Sequence, residues 1–280
     1  MRVDFMMIGA QKCGTTSLAS QLAQHPAICF SQLKEPGYFN QTDDWEAGLD
    51  HYHGLFAPRN GQICGEASTM YTFLPEWEHT HTRLFAYNPN LKLIYIMRNP
   101  VERTISNYAH DLVRGLVNGD SGETLLLQDA YLNRSRYYFQ MKPYVELFPM
   151  ENILLLVFEE YIADQQSTLN RITEFLNIHE FDFADAGPSE KHKTLGTWYL
   201  KYASVRKLAA TSLFQKVRPS IPIAVRRPIR RMLSNKLDVK PPIKPEVREV
   251  LWNTLAPEIN AVEQLMGRRV ESWHTGTPDE

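Results

Sequence analysis

The chain has 280 residues, a formal net charge of −2, and a composition that is 43% hydrophobic and 11% aromatic. Such a chain can bury one large core, so a single domain spanning 1–280 is expected. The near-neutral charge argues against a general nucleic-acid binder, which favours a strongly basic domain, and without a run of 18 or more apolar residues no transmembrane segment is expected.

Val3 to Ile8 is a short apolar run and reads as a buried strand. Ser17 to Gln24 is compatible with a helix, with Leu18 and Leu22 four apart. Between them stands Gly9-Ala10-Gln11-Lys12-Cys13-Gly14-Thr15-Thr16. Strand, glycine-containing turn and helix together aim backbone N–H groups at an anion, and the helix dipole favours its charge. Lys12 supplies a point charge, and Thr15, Thr16 and Ser17 supply hydroxyl donors. A Walker A loop, G-x-x-x-x-G-K-[ST], does not fit, because here the lysine precedes the second glycine. The spacing is G-x-x-K-x-G-T-T.

That string resembles the 5′-phosphosulfate loop of sulfotransferases that use 3′-phosphoadenosine 5′-phosphosulfate (PAPS). It is most similar to the branch holding the heparan sulfate sulfotransferases and their bacterial relatives. The resemblance implies that Gln11, Lys12, Cys13, Gly14, Thr15, Thr16 and Ser17 bind the phosphosulfate, with Lys12 also catalytic. After His25-Pro26, Ile28-Cys29-Phe30 reads as a second strand, followed by Lys34-Glu35-Pro36-Gly37-Tyr38-Phe39. The family places its proposed catalytic base at the position of Glu35. A residue before proline is disfavoured in a helix, so Glu35 is expected on an extended turn with its carboxylate displayed. Tyr38 to Pro58 reads as a helical excursion able to line a substrate mouth, with His51 and His53 in surface or pocket-wall packing. Ile63 to Tyr71 resembles the family's E-K-[ST]-x-x-Y segment, but Ala67 stands where several relatives carry a lysine. Glu66 and Ser68 are left as candidates for positioning the substrate.

Leu91 to Met97 is nearly continuous in apolar residues, as in a strand covered on both faces. In a P-loop NTPase the matching strand would end in a metal-binding carboxylate; this one ends in Arg98, a cation suited to a second anionic group. Pro100 opens a helix, and Arg98 and Ser106 are eight residues apart. The element resembles the family's R-N-P-x-x-R-x-x-S-x-Y, whose arginine and serine hold the 3′-phosphate. Arg103 reads as structural. His110 lies four residues past Ser106 on the same helix face; it resembles the histidine of N-sulfotransferase members, and both a catalytic and a packed role stay open.

Asn152 to Phe158 reads as a further buried strand, and Gln166 to Leu176 as an amphipathic helix. The resemblance carries Lys191, Lys193 and Thr194 over to a loop covering the 3′-phosphate. Between Lys201 and Lys244 the only acidic residue is Asp238. The stretch Trp198 to Val217 reads as a cationic helix: a packing or lid helix, a membrane-surface face or a polyanion strip. Pro245 to Met266 is a closing helix, followed by Trp273.

The expected fold is three-layer α/β with a central parallel sheet and ligands bound beyond the strands' C-terminal ends. The implied reaction is sulfuryl transfer from PAPS to a hydroxyl or amine of a small-molecule acceptor, releasing 3′-phosphoadenosine 5′-phosphate (PAP), without metal. A nucleotide kinase and a non-enzymatic nucleotide-binding protein are the alternatives; the second would have no use for Glu35. Cys13, Cys29 and Cys64 show neither paired nor metal-ligand spacing, and with a strand beginning by Val3 they suit a reducing, cytoplasmic setting.

Overall fold

A computed structural model describes residues 1–41, 44–114, 116–117, 121–183, 197–200, 234–237 and 243–274. Five strands, β1 (Phe5–Gly9), β2 (Ile28–Phe30), β3 (Ile63–Ala67), β4 (Lys92–Met97) and β5 (Ile153–Val157), form one sheet in the order β2-β3-β1-β4-β5. Every neighbouring pair runs parallel. Parallel strands need covered faces, which is why FMMIG, KLIYIM and ILLLV carry few polar residues.

The helices are α1 (Thr15–Leu22), α2 (Tyr38–Gln41), α3 (Leu49–His53), α4 (Thr80–Tyr87), α5 (Pro100–Arg114) and α6 (Ser121–Leu127). They continue as α7 (Asp129–Asn133), α8 (Tyr137–Leu147), α9 (Phe158–Ala163), α10 (Gln165–Leu176), α11 (Pro245–Met266) and α12 (Glu271–His274). The main core joins β1 to Leu18 and Leu22 of α1, Met141 of α8, Leu169 and Ile172 of α10, and Ile259 and Val262 of α11. A second cluster packs Val101, Ile105 and Tyr108 of α5 on Leu251 and Leu255 of α11. The four-residue spacing of Leu251, Leu255 and Ile259 lets one helix face serve both clusters. Burying each such side chain is worth about 1.5–3 kcal/mol.

Strand order fixes where a ligand binds. From β1 the chain runs outward to β2 and returns to β3; it then crosses to β4 and continues outward to β5. The C-terminal ends of β1 and β4 therefore flank the point where the winding reverses, the usual crevice for ligands in open α/β sheets.

Two expectations are corrected. The excursion after Tyr38 is two short helices, α2 and α3, joined by turns rather than one helical stretch. Trp198 does not open a helix: β6 (Thr197–Leu200) pairs antiparallel with β7 (Ser234–Leu237), Trp198 opposite Lys236. Thr197, Trp198 and Tyr199 are β-branched or aromatic and favour a pleated chain once a partner strand is supplied. Residues 201–217 of that expected helix lie outside the described residues.

Candidate active site

β1 ends at Gly9, where a Cβ would fall 2.4 Å from Tyr95 Cε2 and 2.5 Å from Thr72 Oγ1. Only glycine lets β1 pass that close to β4's tyrosine. The loop then takes Lys12 to φ 71° and Gly14 to φ 81°. Left-handed residues alternating in a tight turn make a concavity of backbone N–H groups, and α1 starts at Thr15, so its first amides face the same hollow. Lys12 has a Cβ, so its conformation costs roughly 1–2 kcal/mol and is held by its surroundings.

The side chains of this loop divide. Cys13 is fully buried, its Sγ 3.7 Å from Tyr137 Oη, and burial pushes its thiol up to about 11. Cys13 can therefore offer a ligand its backbone only. Thr15 is also buried, and Ser17 Oγ lies 3.0 Å from the Tyr161 hydroxyl. Gln11 Oε1 is 3.5 Å from Arg134 Nη1. Burial pushes the Lys12 ammonium below its ordinary value; Asp111 opposes this, and the positive charges of Arg103 and Arg98 reinforce it.

At the end of β4, Asn99 caps α5: its Oδ1 accepts from the backbone N–H groups of Val101 and Glu102, both at 3.1 Å. Its own N–H donates to Glu159 at 3.0 Å, its amide to the Trp273 carbonyl at 3.0 Å, and the Trp273 indole to Glu159 at 3.1 Å. The C-terminal helices thus lock the turn that presents Arg98. The Arg98 guanidinium lies 5.1 Å from the Phe158 ring centroid and 3.9 Å from Glu102. Arg103 is structural, as expected: fully buried, it donates to Ser135 Oγ, Asn107 Oδ1 and the Tyr131 carbonyl.

Ser106 is half-buried on α5, and His110 follows one turn later. His110 Nδ1 is 3.4 Å from Asp111 Oδ1, while Asp111 Oδ2 accepts from Asn107 at 2.9 Å and Tyr131 at 2.8 Å. Burial opposes ionisation of Asp111, but the hydrogen bonds from His110 and Tyr131 prevail and hold its carboxyl below the usual range.

Glu35 is not on an extended turn. It adopts φ 53°, and its carboxylate is half-buried and accepts from Thr69 Oγ1 at 3.2 Å. Two residues on, the Gly37 N–H donates to Ser68 Oγ at 2.9 Å, and these two hydrogen bonds draw the turn inward. Glu66 and Ser68 do not face an acceptor: both are fully buried. Ser68 Oγ donates to Glu66 Oε2 at 2.6 Å, and Tyr52 and Tyr71 each donate to Glu66 Oε1 at 2.8 Å. Burial raises the Glu66 carboxyl despite those three bonds, with the Glu35 charge adding to the rise. Thr69 lies two residues past β3, which adjoins β1, and neighbouring strands are about 4.8 Å apart. The Glu35 carboxylate is therefore tied to the chain just beyond β3, the strand next to β1.

Lys191, Lys193 and Thr194 lie outside the described residues. Sequence reasoning missed Thr69, Asp111 and Arg134, each from a different segment; only the adjacency of Asp111 to His110 offered a signal. Among the described residues, no three His, Cys, Asp or Glu side chains converge as a metal site, and no helix is long and apolar enough to cross a membrane.

A loop with two left-handed residues after the central strand and a cation, Arg98, after its neighbour β4 stand at the reversal point of a parallel α/β sheet. The chain belongs to the sulfotransferase family: the model described as "Sulfotransferase domain" matches residues 2–258. It is 24% identical over 276 residues to the membrane-associated sulfotransferase kil1 of Dictyostelium discoideum, covering 66% of this chain and 58% of that protein. It is 28% identical over 189 residues to human heparan sulfate glucosamine 3-O-sulfotransferase 6, covering 62% and 52%. The chain thus spans little more than half the length of these two relatives. A sulfotransferase structure from Alicyclobacillus acidocaldarius superposes with a TM-score of 0.68 at 23% identity, over 98% of this chain and 99% of that one, and shares its fold.

Proposed function

We propose that this chain, as one domain over 1–280, moves a sulfuryl group from PAPS to a hydroxyl or amine of a small-molecule acceptor and releases PAP. The observation that carries the reading is the pairing of two cationic positions, Lys12 after β1 and Arg98 after β4, at the reversal point of the sheet. PAPS supplies the activated sulfuryl group. Gln11 to Ser17 hold its 5′ end, and Lys12 with the loop amides stabilises the charge that grows on the departing phosphate oxygen. Arg98 and Ser106 hold the 3′-phosphate, with Lys191, Lys193 and Thr194 covering it. Glu35 accepts the acceptor's proton, a role in general worth roughly 100- to 10,000-fold, and His110 borders the acceptor.

Sulfuryl carries less charge than phosphoryl, so Lys12 suffices without a divalent ion. Turnover should survive EDTA; activity that vanishes with EDTA and returns with Mg²⁺ would favour a kinase. A cytoplasmic metabolite is the proposed acceptor. Purified protein incubated with PAPS and a metabolite extract, followed by mass spectrometry, should yield sulfated products together with PAP. Transfer of phosphate from ATP in the same extract, with PAPS unconsumed, would overturn the proposal.

A further inference from the structure

We propose that Ser68, anchored on the buried carboxylate of Glu66, and its neighbour Thr69 are positioning residues that hold Glu35 in its proton-accepting orientation. The inference rests on the reading of Glu35 as the base.

Glu35 occupies the left-handed region without being glycine, at φ 53°. Such a conformation persists only where neighbours over-determine it. Two hydrogen bonds do so, one on the Glu35 side chain from Thr69 and one on the Gly37 backbone to Ser68. Both partners follow directly after β3, which lies inside the sheet between β2 and β1. The turn that carries the base is therefore fastened to the chain as it leaves an interior strand.

Glu66 gives this fastening its direction. A serine hydroxyl has one hydrogen and two lone pairs. At 2.6 Å the Ser68 hydrogen is committed to Glu66 Oε2, which turns a lone pair toward the Gly37 N–H. Tyr52 and Tyr71 occupy the other Glu66 oxygen and hold the carboxylate still. A buried carboxylate serves packing alone less well than an apolar side chain of the same size. Its use here is to set the polarity of a chain that ends at the Gly37 amide, two residues from the base. Among the described residues Thr69 is the one hydrogen-bond partner of the Glu35 carboxylate. It engages Oε2 and leaves Oε1 for the proton.

The test uses the full chain, with water as the acceptor, reading PAP release from PAPS with enzyme in excess, and PAP affinity by calorimetry. Thr69→Val keeps the shape and removes the hydroxyl. It should slow PAP release about tenfold with PAP affinity unchanged, and Thr69→Ser should restore the rate. Glu35→Gln is the reference: slowed release there with normal release in Thr69→Val overturns the positioning role alone. Unslowed release in Glu35→Gln overturns the base assignment beneath it. Hydrogen exchange supplies a readout that needs no turnover. The Gly37 amide should exchange at least tenfold faster in Ser68→Ala and in Glu66→Gln than in the wild type, and unchanged protection there overturns the proposal.

Discussion

Lys12 is a partly buried cation held in a strained conformation between Arg98, Arg103 and Asp111. The repulsion that Arg98 and Arg103 exert on the ammonium is offset once an anion sits in the loop, because the charges then compensate. Glu35 and His110 are the two proposed proton acceptors, and their surroundings differ. Glu35 is tied to a single hydroxyl, whereas His110 leans on Asp111, itself held by Asn107 and Tyr131. Glu35→Gln should lower the rate of PAPS turnover at least 100-fold, about 2.7 kcal/mol in barrier, with PAP affinity nearly unchanged. His110→Ala should cost less than tenfold; rapid-quench measurement of PAP release checks both, and the reverse order would exchange their roles. The loop residues were legible in the sequence because anion binding at a helix start needs lysine, glycine and hydroxyls within a few consecutive positions. Thr69 and Arg134 were not, because they reach the site from distant segments and no local pattern marks their side chains.

At the scale of elements, the junction of β1 and α1 depends on Gly14. Its φ of 81° suits glycine, and a Cβ there would lie 2.6 Å from Phe158 Cε2. Gly14→Ala combines a left-handed alanine with overpacking, together costing at least about 2 kcal/mol. A drop of that size in urea unfolding, with weaker PAP binding, is expected. On β2's side, the Ala27 N–H donates to His25 Nδ1 at 3.0 Å, so Nε2 carries the hydrogen and donates to the His179 carbonyl at 2.9 Å. Burial pushes the His25 imidazole below its ordinary value, the His179 carbonyl opposes this, and the His179 ring adds to it. The folded state thus binds fewer protons than the unfolded state just below the ordinary histidine value, so this contribution is present above that window and is lost on acidification. His53 and His81 are lowered by burial too and share the acid loss. The difference in melting temperature between wild type and His25→Asn should narrow as pH falls from about 7.5 to about 5.5; a constant difference would remove His25 from the linkage. Helix and strand identities of this kind followed from periodicity. The left-handed turn at Glu35 did not, because its cause is a pair of hydrogen bonds to Ser68 and Thr69, just after β3.

For the whole molecule, the sheet order brings together motifs that lie about ninety residues apart in the chain, Lys12 and Arg98. Apolar runs near the two motifs predicted parallel strands, and the rule that ligands bind beyond strand ends predicted one cleft. The order β2-β3-β1-β4-β5 itself was not readable, since register and neighbour choice are set by tertiary packing. The same holds for β6, where a distant partner strand sets the conformation of Thr197–Leu200. In the proposed reaction Lys12 and Arg98 form two separate anion sites on one nucleotide. Isothermal titration of PAP and AMP, with wild type and Arg98→Ala side by side, tests it most directly. PAP should bind the wild type at least tenfold tighter than AMP, about 1.4 kcal/mol, and Arg98→Ala should erase most of that preference; equal affinities for PAP and AMP in the wild type would contradict it.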